Sequence, residues 1–174
     1  GWDPPYVMFS ANTRWDGRRG DSVANAEAMG EFVFNMATYA LRDAVVLSSS
    51  IEEAGVDEMA AAGLTAADSR LVKPPRVKES PINLECKHHQ TLVLPSDTPG
   101  MFNSVVIGKV VGIHIADEYL RSDGKIDIAA IRPLARMGYM DYTSVSDVFE
   151  MLPVGTSEDT IRGMSGGGLV AKRA

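Results

Sequence analysis

The chain has 174 residues, 45% of them hydrophobic, which suits a single domain with a substantial core. Its net charge of -6 argues against a protein that binds duplex nucleic acid. Its one cysteine, Cys86, excludes an internal disulfide and predicts a reducing, cytoplasmic location.

The chain begins with a proline turn and a predicted strand. Polar and apolar residues alternate over Tyr6–Asn12, so Val7, Phe9 and Ala11 share a face that we expect in the core. The start lacks the basic and apolar regions of a signal peptide, and no apolar run approaches the roughly 18 residues of a membrane span. It also lacks an initiator methionine, so we expect a fragment or a processed form.

A basic loop and a short helix follow. Residues 13–20 are predicted as a loop that carries Arg14, Arg18 and Arg19. Asp21 or Ser22 can cap a helix that runs to about Met29, with Gly30 ending it. The start of such a helix offers unpaired N–H groups, here those of Ser22 and Val23, and a partial positive charge to an anion. The alternative is an ordinary capped helix beside a solvated loop.

The middle of the chain alternates strands and short helices. Residues 31–36 are predicted as a strand, Thr38 begins a helix that ends at serines 48–50, and a shorter helix starts near Gly55 and ends at Gly63. Three prolines in residues 72–81 indicate an extended connector.

Two long strands are predicted at residues 83–94 and 104–116. In the first, alternate residues from Leu84 to Leu94 share a face; in the second, isoleucines share one face and Gly108, Gly112 and His114 the other. Glycines on one strand face indicate the close approach of another backbone or of a flat ligand.

The C-terminal part reads as a turn at residues 122–125, an aromatic segment at 136–142 and a short final strand at 148–152. Residues 155–174 read as a loosely held tail with one helical turn near 158–162. We therefore expect one domain over residues 1–152 and a tail over residues 153–174.

Several segments, in order, resemble the flavin reductase-like (flavoredoxin-type) family that binds FMN. Asp-Pro-Pro-Tyr-Val-Met resembles the strand that leads to the flavin, and Asp21-Ser22 with Asn25 resembles the phosphate-loop pattern. The matching segments are residues 3–8, 21–25, 30–35, 55–58, 62–65, 75–77, 80–81, 84–86, 108–115 and 132–142.

The resemblance implies a mainly β fold with short helices, a Greek-key FMN-binding split β-barrel, in a homodimer with FMN near the interface. Two departures stand out. The lysine of the family's phosphate loop is Gly20 here, so Arg19 or Arg18 would supply the charge. The family also has two strands before the proline turn, which would lie upstream of this sequence.

The resemblance also implies the residues that hold the cofactor. These are Ser10, Ala11, Asn12, Thr13, Arg18, Arg19, Asp21, Ser22, Val23 and Asn25. Asn12 can donate to a ring carbonyl and accept from the ring N3–H, although an Asx turn at the strand end is the alternative. Ser22 can donate its hydroxyl to the phosphate, and an arginine can bind it bidentately.

Other polar residues carry less specific signals. His88 and His89 are adjacent in a strand, so they cannot chelate one metal together, and no metal site is expected. His114 is either flavin-facing or a core histidine, and Cys86 reads as a small buried hydrophobe. Three residues either cover the flavin from the partner subunit or pack the C-terminal segment: Arg136, Tyr139 and Tyr142.

No catalytic residue is identified. No Cys-x-x-Cys motif is present, and flavin chemistry needs none because the cofactor transfers the electrons. The resemblance implies an NAD(P)H:flavin reductase-like oxidoreductase, with NADH or NADPH as donor and a monooxygenase as one candidate acceptor. The alternatives are an FMN-binding or structural split barrel without turnover, and a barrel that binds another anion.

Overall fold

The computed structural model describes residues 3–14, 16–49, 56–151 and 154–157. The strands are β1 (Tyr6–Asn12), β2 (Glu31–Asn35), β3 (Ala66–Ala67), β4 (Arg76–Val77), β5 (Ile82–Pro95), β6 (Phe102–Ile115), β7 (Leu134–Arg136) and β8 (Tyr142–Ser144). The helices are α1 (Asp21–Met29), α2 (Arg42–Leu47), α3 (Glu58–Ala61) and α4 (Ile128–Ile131), with 3-10 turns at Tyr39–Leu41 and Asp117–Tyr119. None of the described helices has the length and apolarity that crossing a membrane requires.

The framework is a four-stranded antiparallel sheet in the order β1-β6-β5-β2. Its strands confirm the expected ones at residues 6–12, 31–36, 83–94 and 104–116 within two residues at each end. The other described strands form two small sheets, β3 with β4 and β7 with β8. The mainly β architecture with short helices is thus confirmed.

The predicted single face of β5 was wrong because the pairing of β5 with β6 is bulged. The register shifts twice: Val111 is the extra residue of β6 opposite Glu85 and Cys86, and His89 is the extra residue of β5 between His88 and Gln90. The extra residue His89 reverses the side to which the following side chains of β5 point. Glu85 and Cys86 are both buried, although they are neighbours in sequence.

Helix α1 packs on the sheet and forms the core. Its buried residues Val23 and Ala26 contact Val106 of β6, and side chains of β1 and β2 surround this cluster. The capping prediction was wrong: the N-cap is Gly20, no side chain caps the helix, and Asp21 is its first helical residue. Its predicted end is confirmed, since Gly30 caps the helix with a left-handed φ of 67°.

Gly108 of β6 faces the hydrophobic core. A Cβ on Gly108 would lie 2.3 Å from Cζ of Phe32, far inside any real contact. The close approach predicted from the glycines therefore exists, but the group that approaches is an aromatic side chain of β2. The Phe32 ring in turn packs edge-on against Phe9 at 5.3 Å between centroids.

The C-terminal predictions met a mixed outcome. The turn at residues 122–125 is present, with Gly124 at a φ of 80°. The aromatic segment forms the β7–β8 hairpin. The final strand was wrong, because residues 148–151 form none. The short helix expected from near Gly55 is present but begins at Glu58, with Asp57 as its N-cap. Residues 50–55, 152, 153 and 158–174 lie outside the described residues, so the predicted tail stays a prediction.

Candidate functional site

A cavity lies between α1, β1 and β2, and we call it the α1 pocket. Its volume is about 570 Å³. It is lined by Val7, Met8, Phe9, Ser22, Asn25, Ala26, Met29, Glu31, Phe32, Val33, Phe34, Asn35, Pro74 and Pro75. Apolar side chains dominate, and a few polar groups stand at its edges, which is the usual composition of a small-molecule site.

Ser22 and Asn25 bring polar groups from α1 to this pocket. They are three residues apart, so they share one face of the helix, and both are exposed. Within the described residues neither side chain has a hydrogen-bond partner in the structure. Of the ten predicted cofactor residues, these two line the α1 pocket.

The first turn of α1 has free donors. The N–H groups of Val23 and Ala24 both donate to the carbonyl of Gly20, each at 3.1 Å. Because no side chain caps the helix, the N–H groups of Asp21 and Ser22 keep no partner among the described residues. The unpaired N–H groups at the helix start are therefore those of Asp21 and Ser22. The expectation that they would be those of Ser22 and Val23 was wrong. The Val23 side chain is fully buried in the core.

The three loop arginines are each held by a carboxylate. Arg14 contacts Asp21 at 2.8 Å, Arg18 contacts Asp16 at 2.7 Å, and Arg19 pairs with Glu27. The backbone N–H of Arg18, followed by its guanidinium, holds the pKa of Asp16 below its ordinary value. Burial would raise the pKa of Glu27, but the Arg19 guanidinium and Thr91 outweigh it and lower that pKa.

The predicted residues at the end of β1 divide into two groups. Ser10 and Asn12 are exposed, and the amide of Asn12 forms no Asx turn, so both side chains are free to meet a ligand. Ala11 packs against the core, and its Cβ lies 3.6 Å from the position of a Cβ on Gly20. The Thr13 hydroxyl is buried and fully used, because it donates to Phe102 O at 2.6 Å and accepts from Phe102 N at 2.9 Å.

Comparison with known proteins identifies this architecture. Residues 1–135 match the model of the flavin reductase like domain. The chain belongs to this family.

Relatives and solved structures agree with that assignment. An uncharacterized protein of Deinococcus radiodurans is 32% identical over 154 residues, which cover 87% of this chain and 65% of the relative. The crystal structure of nitrilotriacetate monooxygenase component B from Bacillus cereus has a TM-score of 0.79 at 27% identity, covering 87% of this chain and 74% of that one. The chain therefore spans about two thirds of the length of the Deinococcus relative.

More distant structures share the fold. Flavoredoxin of Desulfovibrio vulgaris has a TM-score of 0.69 at 21% identity, covering 91% of this chain and 78% of that one. An FMN-binding domain of a flavin reductases-like enzyme from Shewanella baltica has a TM-score of 0.64 at 18% identity, with coverages of 87% and 76%. The fold of the chain is thus the split β-barrel of flavin reductase-like proteins, as predicted.

The histidines and the cysteine of this flavin reductase-like domain do not line the α1 pocket. His88 bonds Thr91 at 2.8 Å, and His89 packs against the Tyr6 ring at 5.2 Å between centroids. Burial raises the pKa of the Cys86 thiol to about 11, in keeping with a small buried hydrophobe. His114 contacts Glu85 instead of the pocket.

The sequence missed several groups that the structure brings together. Met29 and Glu31 line the α1 pocket, and their position where α1 ends and β2 begins was the available signal. Glu85 was noted only as part of a family motif. A charged residue between apolar ones in a long strand indicates a buried pair, but its partner His114 is 29 positions away and could not be read from the pattern.

Proposed function

We propose that this protein is an FMN-dependent oxidoreductase of the NAD(P)H:flavin reductase type. It would pass electrons from a reduced nicotinamide through FMN to an acceptor. The observation that carries the proposal is the α1 pocket, in which an apolar slot meets the open N-terminus of a nine-residue helix. A flavin nucleotide needs that combination, because its ring is flat and mainly apolar and its phosphate is an anion.

The residues at the helix start fit the phosphate end of FMN. The free N–H groups of Asp21 and Ser22 and the Ser22 hydroxyl can donate to phosphate oxygens. The Asp21 carboxylate would repel a phosphate, but Arg14 contacts it at 2.8 Å and offsets its charge. Arg18 and Arg19 form ion pairs with carboxylates. They would therefore attract the phosphate by their positive charge at a distance, or would leave these carboxylates to bind it directly.

The apolar walls fit the ring. Phe9, Phe32 and Met29 line the slot together with two prolines, and the volume of about 570 Å³ lies in the ordinary range of ligand pockets. When bound, FMN would supply the hydride and electron transfer. The protein's own part is to fix the phosphate, to hold the ring against the apolar walls and to exclude water from one of its faces.

We further propose a homodimer that hands electrons to a partner such as a monooxygenase in the cytoplasm. The Bacillus cereus structure at 27% identity is named as a monooxygenase component, which supports an electron-delivering role. The β7–β8 hairpin leaves Tyr139 and Met140 93% and 83% exposed, which suits a surface that another chain covers.

The test is an FMN titration of the protein by visible absorption, followed by oxidation of NADH and of NADPH with and without added FMN. Tight FMN binding with steady nicotinamide oxidation is the expected result. FMN binding without oxidation would reduce the function to flavin binding. A colourless protein that ignores FMN would contradict the proposal, and the helix start would then serve another anion.

A further inference from the structure

A second cavity lies at the opposite end of the sheet, and we call it the basic cleft. Its volume is about 330 Å³, and it lies where β6 ends, β5 begins and the segment from residue 70 to 78 crosses them. It is lined by Arg70, Arg76, Lys78, Ser80, Pro81, Asn83, Ile113, His114, Ile115 and Ala116. None of the predicted cofactor residues lies in it.

Three cationic side chains line this one cleft without a counter-ion. In the part of the chain that the structure describes, Arg70, Arg76 and Lys78 have no carboxylate at ion-pair distance. The arginines before α1 differ, since each of them has one. The concentration of unpaired positive charge is unusual in a chain whose net charge is -6. Like charges that share a small cavity favour the binding of an anion.

Arg76 is held in place by neutral groups. Its Nε donates to Asp68 O at 3.0 Å and its Nη1 to the Asn83 side-chain oxygen at 3.2 Å. Asn83 is itself buried and fixed, because its amide donates to the Asn35 side-chain oxygen at 2.8 Å. Neutral acceptors orient the guanidinium but leave its charge uncompensated, so the group is positioned before any ligand arrives.

The carboxylate beneath the cleft forms no ion pair with Arg70, Arg76 or Lys78. Glu85 is fully buried, and its oxygens accept from the backbone N–H groups of Arg70 at 2.8 Å and Leu71 at 2.6 Å. The same carboxylate also faces Nε2 of His114. Glu85 therefore clamps the backbone that carries Arg70 and orients the imidazole at the cleft wall, while its own acceptors are used.

The basic cleft is distant from the helix start that we assign to FMN phosphate. Gly20 lies against Ala11, and Ala11 pairs with Ser104 near the start of β6. The cleft is lined by residues 113–116 at the other end of that strand. Nine residues of strand from Ser104 to Ile113, at about 3.3 Å each, put the two places about 30 Å apart.

We propose that the basic cleft binds a phosphate-class anion, either free phosphate or the phosphate of a nucleotide, at a site separate from the α1 pocket. Two or more negative charges on one compact group match three cations better than a single carboxylate would. A nucleotide held there would lie beside the α1 pocket, whose far end reaches Pro74 and Pro75, next to Arg76. The inference does not depend on FMN binding.

The test is calorimetric titration in phosphate-free buffer with inorganic phosphate, adenosine 2′-monophosphate and adenosine. The variant Arg70→Gln/Lys78→Gln removes two exposed charges and leaves the hydrogen-bonded Arg76 in place. We expect it to weaken phosphate or nucleotide binding about tenfold or more. The control Lys109→Gln/Arg121→Gln removes two exposed charges elsewhere and should bind as the parent does. Equal melting temperatures of the three proteins would show that the folds are comparable.

The three titrants distinguish a site for free phosphate from a site for a nucleotide. Phosphate binding as tightly as adenosine 2′-monophosphate supports a free-phosphate site, and tighter binding of the nucleotide supports a nucleotide site. Adenosine should not bind in either case. Three results would overturn the proposal: no binding of either anion, equal losses in the variant and its control, or a matching loss of FMN affinity in Arg70→Gln/Lys78→Gln. The last result would mean that the basic cleft is part of the FMN site and not a separate site.

Discussion

At the start of α1, two adjacent residues have separate tasks. Val23 is fully buried against Val106 and fixes the helix on the sheet. Ser22 is exposed at the edge of the α1 pocket, and its hydroxyl and N–H are free among the described residues. Ser22 can therefore be substituted with little effect on the core. One substitution that adds a charge there tests whether the helix start binds the FMN phosphate.

We expect Ser22→Asp to weaken FMN binding about tenfold or more, because it places a negative charge where the phosphate would lie. The same change should leave the fold intact or stabilise it slightly, since an acidic residue in the first turn interacts favourably with the helix dipole. Fluorescence titration with FMN and thermal unfolding measure the two effects separately.

The matched control is Ala24→Asp. It adds the same charge in the same turn, but Ala24 is exposed and does not line the α1 pocket. FMN affinity in this variant should fall much less than in Ser22→Asp. Equal affinities of the Ser22→Asp protein and the parent would remove the helix start from the FMN site.

Glu85 makes the stability of the fold sensitive to acid. Burial alone would raise its pKa, but the N–H of Arg70, the His114 ring and the N–H of Leu71 outweigh it and lower the pKa from 4.5 to about 2. A carboxylate whose pKa is lowered by folding stabilises the protein above its unfolded pKa. That stabilisation is lost as the pH falls from about 4.5 towards 2.

We expect Glu85→Gln to lower the free energy of unfolding by about 1–3 kcal/mol at neutral pH, since an amide cannot accept all three donors. The difference from the parent should shrink below pH 4.5, where the parent's carboxylate starts to lose its advantage. Urea unfolding across this pH range is the measurement. Glu118→Gln is the control, because Glu118 is exposed, its carboxylate bonds no described residue, and the change should alter stability by about 0.5 kcal/mol or less. A constant difference at all pH values would contradict the role of the Glu85 charge.

At the scale of elements, alternation and turn residues were enough to place the strands of the main sheet. They could not set the inward face of β5 along its whole length, because the bulge at His89 leaves no mark in the sequence. The shared position of Ser22 and Asn25 was predictable, because both lie on one helix. The grouping of Arg70, Arg76 and His114 in one cleft was not predictable. These three residues come together only because the segment from residue 70 to 78 crosses β5 and β6.

The contact between β6 and β2 gives a prediction at this scale. A Cβ on Gly108 would overlap the Phe32 ring and lie 3.1 Å from the Cys86 Cβ. We expect Gly108→Ala to lower the free energy of unfolding by about 1–3 kcal/mol through overpacking. In a Phe32→Leu background the cost of the same change should be smaller, and denaturant unfolding of the four proteins gives the coupling.

Gly138→Ala is the control for this cycle. No heavy atom lies within 4 Å of its Cβ position, and its backbone needs no left-handed φ, so we expect a change of about 0.5 kcal/mol or less. If Gly108→Ala were as mild as this control, the glycine would have no packing role and β6 would tolerate a side chain there.

At the scale of the whole molecule, apolar surface gathers at the β7–β8 hairpin. Met137, Tyr139 and Met140 are exposed at its turn, and Tyr139 adopts a left-handed φ of 56° that holds the turn in shape. The sequence left open whether this segment packs on its own chain: the Arg136 guanidinium lies over the Tyr142 ring, whereas Tyr139 is almost fully exposed. In the homodimer that we propose, a second subunit would cover this surface.

We expect Met140→Glu to shift the protein from dimer towards monomer, because a charge buried in an interface without a partner is costly. Light scattering after size exclusion, at several protein concentrations, measures the mass. Met140→Leu keeps the apolar contact and should keep the mass of the parent. If the dimer also completes the flavin site, FMN affinity should fall with the dimer fraction in Met140→Glu and stay unchanged in Met140→Leu. A parent that is monomeric, or a Met140→Glu protein that dimerises as tightly as the parent, would place the interface elsewhere or remove it.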